Sequence, residues 1–108
     1  MNLIESLKSK YQNDGPERVG FVLENNEVVE VKNVCPEPEE GFEVSGADIK
    51  RYAFVAVATW HTHPNDDFNL SPKDYEMFRD WPELAHYIVG NNGVRKYVVA
   101  EEEVLIAP

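Results

Sequence analysis

The sequence predicts an α/β fold: one domain whose mixed β-sheet is flanked by helices. Three observations carry this. Residues 53–60, Ala-Phe-Val-Ala-Val-Ala-Thr-Trp, are apolar almost throughout, as expected of a strand covered on both faces in the middle of a sheet. After one short loop, Ser71-Pro72-Lys73-Asp74 has the form of a helix start, with Ser as N-cap, Pro at the first helical position and an acid in the first turn. On either side, helical and strand-like segments follow one another in a single chain of 108 residues, enough for one modest core and not for two.

Leu3, Ile4, Leu7 and Tyr11 recur at helical spacing with charged residues between them, so residues 2 to about 12 read as an amphipathic helix stopped by Asn13-Asp14-Gly15-Pro16. Glu17 to Leu23 and the alternating Val28, Val29, Val31 and Val34 flank the turn Glu24-Asn25-Asn26-Glu27, a predicted β-hairpin. Pro36, Pro38, Glu39 and Glu40 interrupt the sheet as a loop. Phe42-Glu43-Val44 then reads as a short strand, and Gly46 to Tyr52 as a short helix capped by Ser45. The apolar run 53–60 is the central strand, with two histidines at its end. In the helix that begins at Ser71, Tyr75, Phe78 and Trp81 are the expected inner face and Pro82 the end. Ala85 to Val89, the turn Asn91-Asn92-Gly93, Arg95 to Ala100 and Val104 to Ala107 complete the sheet.

Composition narrows the function classes. Hydrophobic residues at 43% and charged residues at 28% describe a folding chain rather than a disordered one. Twenty acidic against ten basic residues give a formal charge of −10, which disfavours nucleic acid and anionic membranes as partners. The lone Cys35 has no disulfide partner within the chain and is expected as a small half-buried residue in a reducing compartment. No apolar run reaches membrane-spanning length and the N-terminal residues lack a secretion pattern.

The chemistry concentrates in His61-Thr62-His63-Pro64, followed by Ser71 and Asp74. Residues i and i+2 of a strand leave the same face about 6.5–7 Å apart, so His61 and His63 can lean onto one ion while Thr62 points away. Zinc takes N or O ligands at about 2.0–2.2 Å in a tetrahedron, and a hydrolytic site keeps the fourth place for water. Asp74, in the first turn of the next helix, is the natural third ligand. Ser71 would face the same pocket with a hydroxyl able to donate to a developing oxyanion. Taken singly, an H-x-H pair occurs by chance and Ser71 with Asp74 is explained by helix capping. Given the histidine pair, a Ser and an Asp at these fixed offsets coincide by chance roughly once in a few hundred. His86 is expected to be structural or exposed, and Trp60 and Trp81 to be packing residues. A hydrolytic site also needs a proton carrier, and Glu17, Glu24, Glu27 and Glu30 are all candidates on position alone.

With Ser71 and Asp74 at these spacings, the run His61-Thr62-His63-Pro64 resembles the signature of the JAMM zinc metallopeptidases, also called MPN+ or JAB. Pro16-Glu17-Arg18-Val19-Gly20-Phe21-Val22-Leu23 is similar to the segment that carries that family's catalytic glutamate, so the resemblance picks Glu17. The stretch Asn33 to Tyr52 is similar to the compact prokaryotic and phage branch, and the order of elements to the peptidase domain of lambda-like phage tail assembly proteins. Val19 stands where the family has a small residue or Cys, and Trp60 is bulky before the first histidine. The chain has no room for the insertions with which ubiquitin-cleaving relatives grip ubiquitin. The resemblance implies a JAMM- and cytidine-deaminase-like sandwich with one zinc ion on His61, His63 and Asp74. It further implies Glu17 as general base, Ser71 as oxyanion donor, and hydrolysis of a peptide or isopeptide bond. Implied substrates are a ubiquitin-like tail, a tail-protein precursor or a peptidoglycan peptide. The implied place is the cytoplasm, that of a bacterial host for a phage-encoded chain, or the virion. Two other readings stand beside it: a tail-assembly interaction module, and a domain whose zinc is purely structural.

Overall fold

A computed structural model describes residues 2–108. Six strands form one mixed sheet in the order β2-β1-β3-β4-β5-β6: β1 (Val19–Leu23), β2 (Val28–Val31), β3 (Ala56–Thr62), β4 (Ala85–Gly90), β5 (Gly93–Ala100) and β6 (Glu103–Ile106). Three helices, α1 (Leu3–Lys8), α2 (Gly46–Tyr52) and α3 (Pro72–Asp80), accompany it. The β3/β4 pair is parallel and the others are antiparallel. A parallel pair needs a crossover, and α3 supplies it. The α/β class and the mixed sheet expected from the sequence are both present. Among the described residues no helix is long and apolar enough to cross a membrane.

Side chains alternate along the strands, and the two sheet faces have separate cores. Leu7 of α1 packs with Val22, Ala58, Trp60, Tyr87 and Val89 on one face. Phe78 of α3 packs with Ile88 and Tyr97 on the other. The Trp60 indole N–H donates to Val29 O at 3.2 Å, so this buried aromatic also satisfies its one polar atom.

Several elements depart from expectation. The first helix ends at Lys8 rather than near residue 12. After it, Lys10 N donates to Leu7 O and Tyr11 N to Lys8 O in tight turns. Tyr11 thereby reaches out so that its hydroxyl accepts from Asn65 N at 3.0 Å. Phe42-Glu43-Val44 makes only an isolated bridge, Asn33 to Val44, because the Asn33 side chain takes the Glu43 N–H. The central strand is shifted toward the histidines. Residues 53–55 form a turn after α2, with Phe54 96% exposed. Val57 is 43% exposed, since β4 first pairs at Ala58; full burial starts there. In α3, Tyr75 faces outward and Met77 packs on the core instead. The last strand runs one residue earlier than expected and forms a sheet edge, leaving Ile106 exposed.

Candidate metal centre

His61 is the penultimate residue of β3 and His63 lies just beyond it. The strand is carried to this point by pairing on both sides: His61 stands opposite Val19 of β1 and Ile88 of β4. His63 N then donates to Val89 O, extending the ladder by one bond before Pro64 turns the chain away. Thr62 points to the other side, where its hydroxyl accepts from Arg18 N and its own N–H donates to Arg18 O, both at 2.9 Å. That double clasp ties the residue after Glu17 to the residue between the histidines. The Arg18 side chain is itself anchored, donating to both Glu30 oxygens and to Lys10 O.

Asp74 arrives from the first turn of α3. Ser71 Oγ accepts from Asp74 N, and Asp74 Oδ2 accepts from Ser71 N, both at 3.1 Å, a reciprocal capping box. Ser71 and Asp74 are therefore cap residues, and both also line the cavity that holds Glu17 and His63. The Ser71 hydroxyl uses a lone pair in the cap and keeps its proton free to donate.

The ligand geometry is compact. His61 Nε2 and His63 Nε2 are 3.1 Å apart; His61 Nε2 is 3.1 Å from Asp74 Oδ1, and His63 Nε2 is 3.1 Å from Asp74 Oδ2. Ligand atoms in a tetrahedron with bonds of about 2.0–2.1 Å lie about 3.3–3.4 Å apart; the 3.1 Å separations here, two of them to different oxygens of Asp74, come within a few tenths of an ångström of that. Glu17, His61 and His63 form a group of their own, one ligand atom of each lying within 4.8 Å of the others. This cluster could hold a metal ion.

Hydrogen bonding supports the fit. His63 Nδ1 is 2.9 Å from Asp67 O, and a carbonyl can only accept, so Nδ1 carries a proton and neutral His63 aims the Nε2 lone pair into the cluster. Two imidazole nitrogens and a carboxylate then face one another and need a cation between them. Burial depresses His63 most strongly of any one cause, but the hydrogen bond and charge of Asp74, the Asp67 carbonyl and the Glu17 charge together outweigh it, and the net shift is upward. Burial also pushes the Asp74 carboxyl up, while the bonds from His61 and His63 hold it well below the usual carboxylate range. His61, wholly buried, is depressed by desolvation, and its Nδ1 is buried with no partner among the described residues.

Glu17 is pushed up to about 7, chiefly by burial, with His63 opposing and Asp74 reinforcing. Glu17, His63, Ser71 and Asp74 line one open cavity of about 370 Å³, walled on the far side by Glu39, Glu40 and Phe42. The Phe42 ring lies against His61, centroids 4.5 Å apart. Of the other candidate glutamates, Glu30 is bound to Arg18 and neither Glu24 nor Glu27 lines this cavity. His86 is structural, as expected: Thr59 Oγ1 lies 2.7 Å from its Nδ1, and its Nε2 donates to Trp81 O at 3.0 Å. Asp67, Thr62 and Asn33 support the site and were not foreseen. Thr62 and Asn33 act on backbone groups of residues distant in the chain, and Asp67 acts through its own carbonyl; no residue spacing displays either.

No family model matches the chain, and comparison with curated proteins finds no match. Among solved structures the chain is similar to protein DSY2949 from Desulfitobacterium hafniense, at 16% identity and a TM-score of 0.65, covering 97% of this chain and 85% of that one. It is also similar to a protein from Salinibacter ruber (strain DSM 13855), at 15% identity and a TM-score of 0.60, covering 100% and 89%. At these identities the likeness concerns the fold, a small α/β domain.

Proposed function

We propose that the chain is a zinc-dependent metallopeptidase or isopeptidase of the JAMM type. One observation carries the reading: two imidazoles and a carboxylate lie 3.1 Å apart, and His63 and Asp74 of that set share a cavity with the half-buried Glu17, whose pKa is raised to about 7. Holding a metal requires only the first part of that set. A carboxyl poised near neutral pH beside it is what proton transfer requires.

His61, His63 and Asp74 would hold the ion. Bound zinc supplies Lewis acidity, acidifying water and polarising a carbonyl oxygen. Glu17, two residues ahead of β1, takes the proton of the attacking water on its carboxylate and returns it to the departing amide nitrogen, which leaves as an amine. The Ser71 hydroxyl donates its free proton to the carbonyl oxygen as negative charge builds there. Asp67 O keeps the His63 ring in the tautomer that presents Nε2. Glu39 and Glu40 on the cavity wall favour basic or neutral residues beside the scissile bond over acidic ones.

The test joins metal content to turnover. Elemental analysis should find one zinc per chain, removable by chelator, and Glu17→Gln should keep that zinc while losing cleavage of a peptide panel containing ubiquitin-like fusions and muropeptides. A zinc-replete Glu17→Gln protein that cleaves as fast as the parent removes Glu17 from the mechanism. The nearness of Glu17 to the histidines also suits a closed four-ligand structural site. Exchangeable water on the cobalt-substituted centre separates the two, since a closed site has none.

A further inference from the structure

Glu17 lies ahead of the strand that follows it and has no ladder partner of its own. Its backbone is held from the side by a loop. Glu17 N donates to Pro38 O at 2.6 Å, and Glu17 O accepts from Asn33 Nδ2 at 2.8 Å. The same Nδ2 donates to Gly41 O at 3.0 Å, and Asn33 Oδ1 accepts from Cys35 N at 3.0 Å and Glu43 N at 3.1 Å. One carboxamide therefore pins Glu17 and both limbs of the loop whose Glu39, Glu40 and Phe42 wall the cavity.

Few side chains can do this. The position needs two N–H donors on one side and an acceptor with two lone pairs on the other, on a stem one methylene long. Asp has no donor, Ser and Thr have too few groups, and Gln displaces all of them by a methylene. A partly buried network of this kind rigidifies what it connects only when every member is satisfied.

We propose that Asn33 is the positioning residue of this centre: its carboxamide sets the distance of the Glu17 carboxylate from the metal ligands and, through the same bonds, holds the loop wall against His61. The proposal rests on the reading of Glu17 as proton carrier. It assigns Asn33 no contact with substrate or metal. Asn33→Asp is the discriminating change, because it keeps the acceptor toward Cys35 and Glu43 and removes the donors toward Glu17 and Gly41.

The experiment uses the full chain loaded with cobalt(II), with paramagnetic NMR shifts locating side chains relative to the ion. In Asn33→Asp the Glu17 methylene signals should move, reporting a displacement of about 1 Å, while those of His61 and His63 stay in place and cobalt affinity holds. A displacement of that size costs on the order of 100-fold in turnover, so kcat should fall by about that factor with KM unchanged, and Asn33→Asp should add no further loss in a Glu17→Gln background. Unmoved Glu17 signals, histidine signals that shift along with them, or an additive loss in the double variant would overturn the proposal. Should Asn33→Asp not fold, the parent protein decides: Asn33 side-chain amide protons must exchange far more slowly than those of exposed Asn25, and equal rates overturn it. Absence of peptidase activity sinks the proposed function and leaves the cobalt measurement to judge Asn33 on its own.

Discussion

The two faces of the central strands are made from alternate residues of the same segments, and both carry an apolar core, yet only one of them also buries a polar cluster. On the α1 face, Ala58, Trp60, Tyr87 and Val89 are buried against Leu7. One residue along, on the α3 face, Thr59, His61 and His86 are equally buried but polar. Apolar side chains need only complementary shape, whereas buried polar ones need partners. On the α3 face Thr59 and His86 satisfy each other and the Trp81 carbonyl, while His61 is satisfied only at Nε2, through the cluster with His63 and Asp74. A face so built is stable to the extent that its charges are compensated, and a metal ion is the natural compensation.

The sharpest way to separate the faces is Trp60→Ala. Removing this fully buried side chain should cost roughly 3–5 kcal/mol in denaturant unfolding, with zinc stoichiometry of the folded protein unchanged. Loss of zinc in parallel would show that the faces are not independent. Zinc should act from the other side: at a free concentration a hundredfold above its Kd it should stabilise by about 2.7 kcal/mol. His63→Ala should abolish that increment, and Trp60→Phe should preserve it.

His86 brings pH into the comparison. Burial lowers its pKa from 6.5 to about 4, so the unfolded chain binds the proton more readily than the folded one. Its neutral form contributes stability that is complete above pH 6.5 and is lost as pH falls toward 4, by about 3 kcal/mol in total. NMR titration should place the His86 midpoint near 4; a midpoint near 6.5 would contradict this account of its burial.

Gly90→Ala probes the scaffold of the metal face. A Cβ there would lie 2.4 Å from Asp67 C and 2.5 Å from Phe68 N, so the loop that presents Asp67 O to His63 must move. Overpacking of this kind costs roughly 1–3 kcal/mol, and zinc affinity should weaken measurably by calorimetry, whereas a shift in stability alone would uncouple loop from site. The smallest effect is that of Ser71→Ala, about 1 kcal/mol from the lost cap, with kcat reduced beyond what the stability change explains.

Much of the fold was legible in residue order. Ser45 and Ser71 cap the helices expected of them, and the two hairpins form about the expected turns. These are local matters, decided by side chains within a few residues of one another. Errors fell where a distant partner outweighed local preference: Asn33 drew Phe42–Val44 out of a strand, Tyr11 left its helix for Asn65, and the start of the apolar run stayed exposed because β4 does not extend that far.

The candidate centre divides along the same line. His61, His63, Ser71 and Asp74 follow from sequence, since strand period and cap chemistry place all four within a short span. Position along the chain left Glu17 level with Glu24, Glu27 and Glu30, and only resemblance singled it out. The tertiary structure put it in the cavity, through an antiparallel pairing that sets Val19 opposite His61 and through bonds from Asn33 and Pro38 to its backbone. Local chemistry can name ligands on one strand and the helix after it; bringing a carboxyl from more than forty residues away, and burying it enough to raise its pKa, depends on sheet register and desolvation, which exist only once the chain has folded.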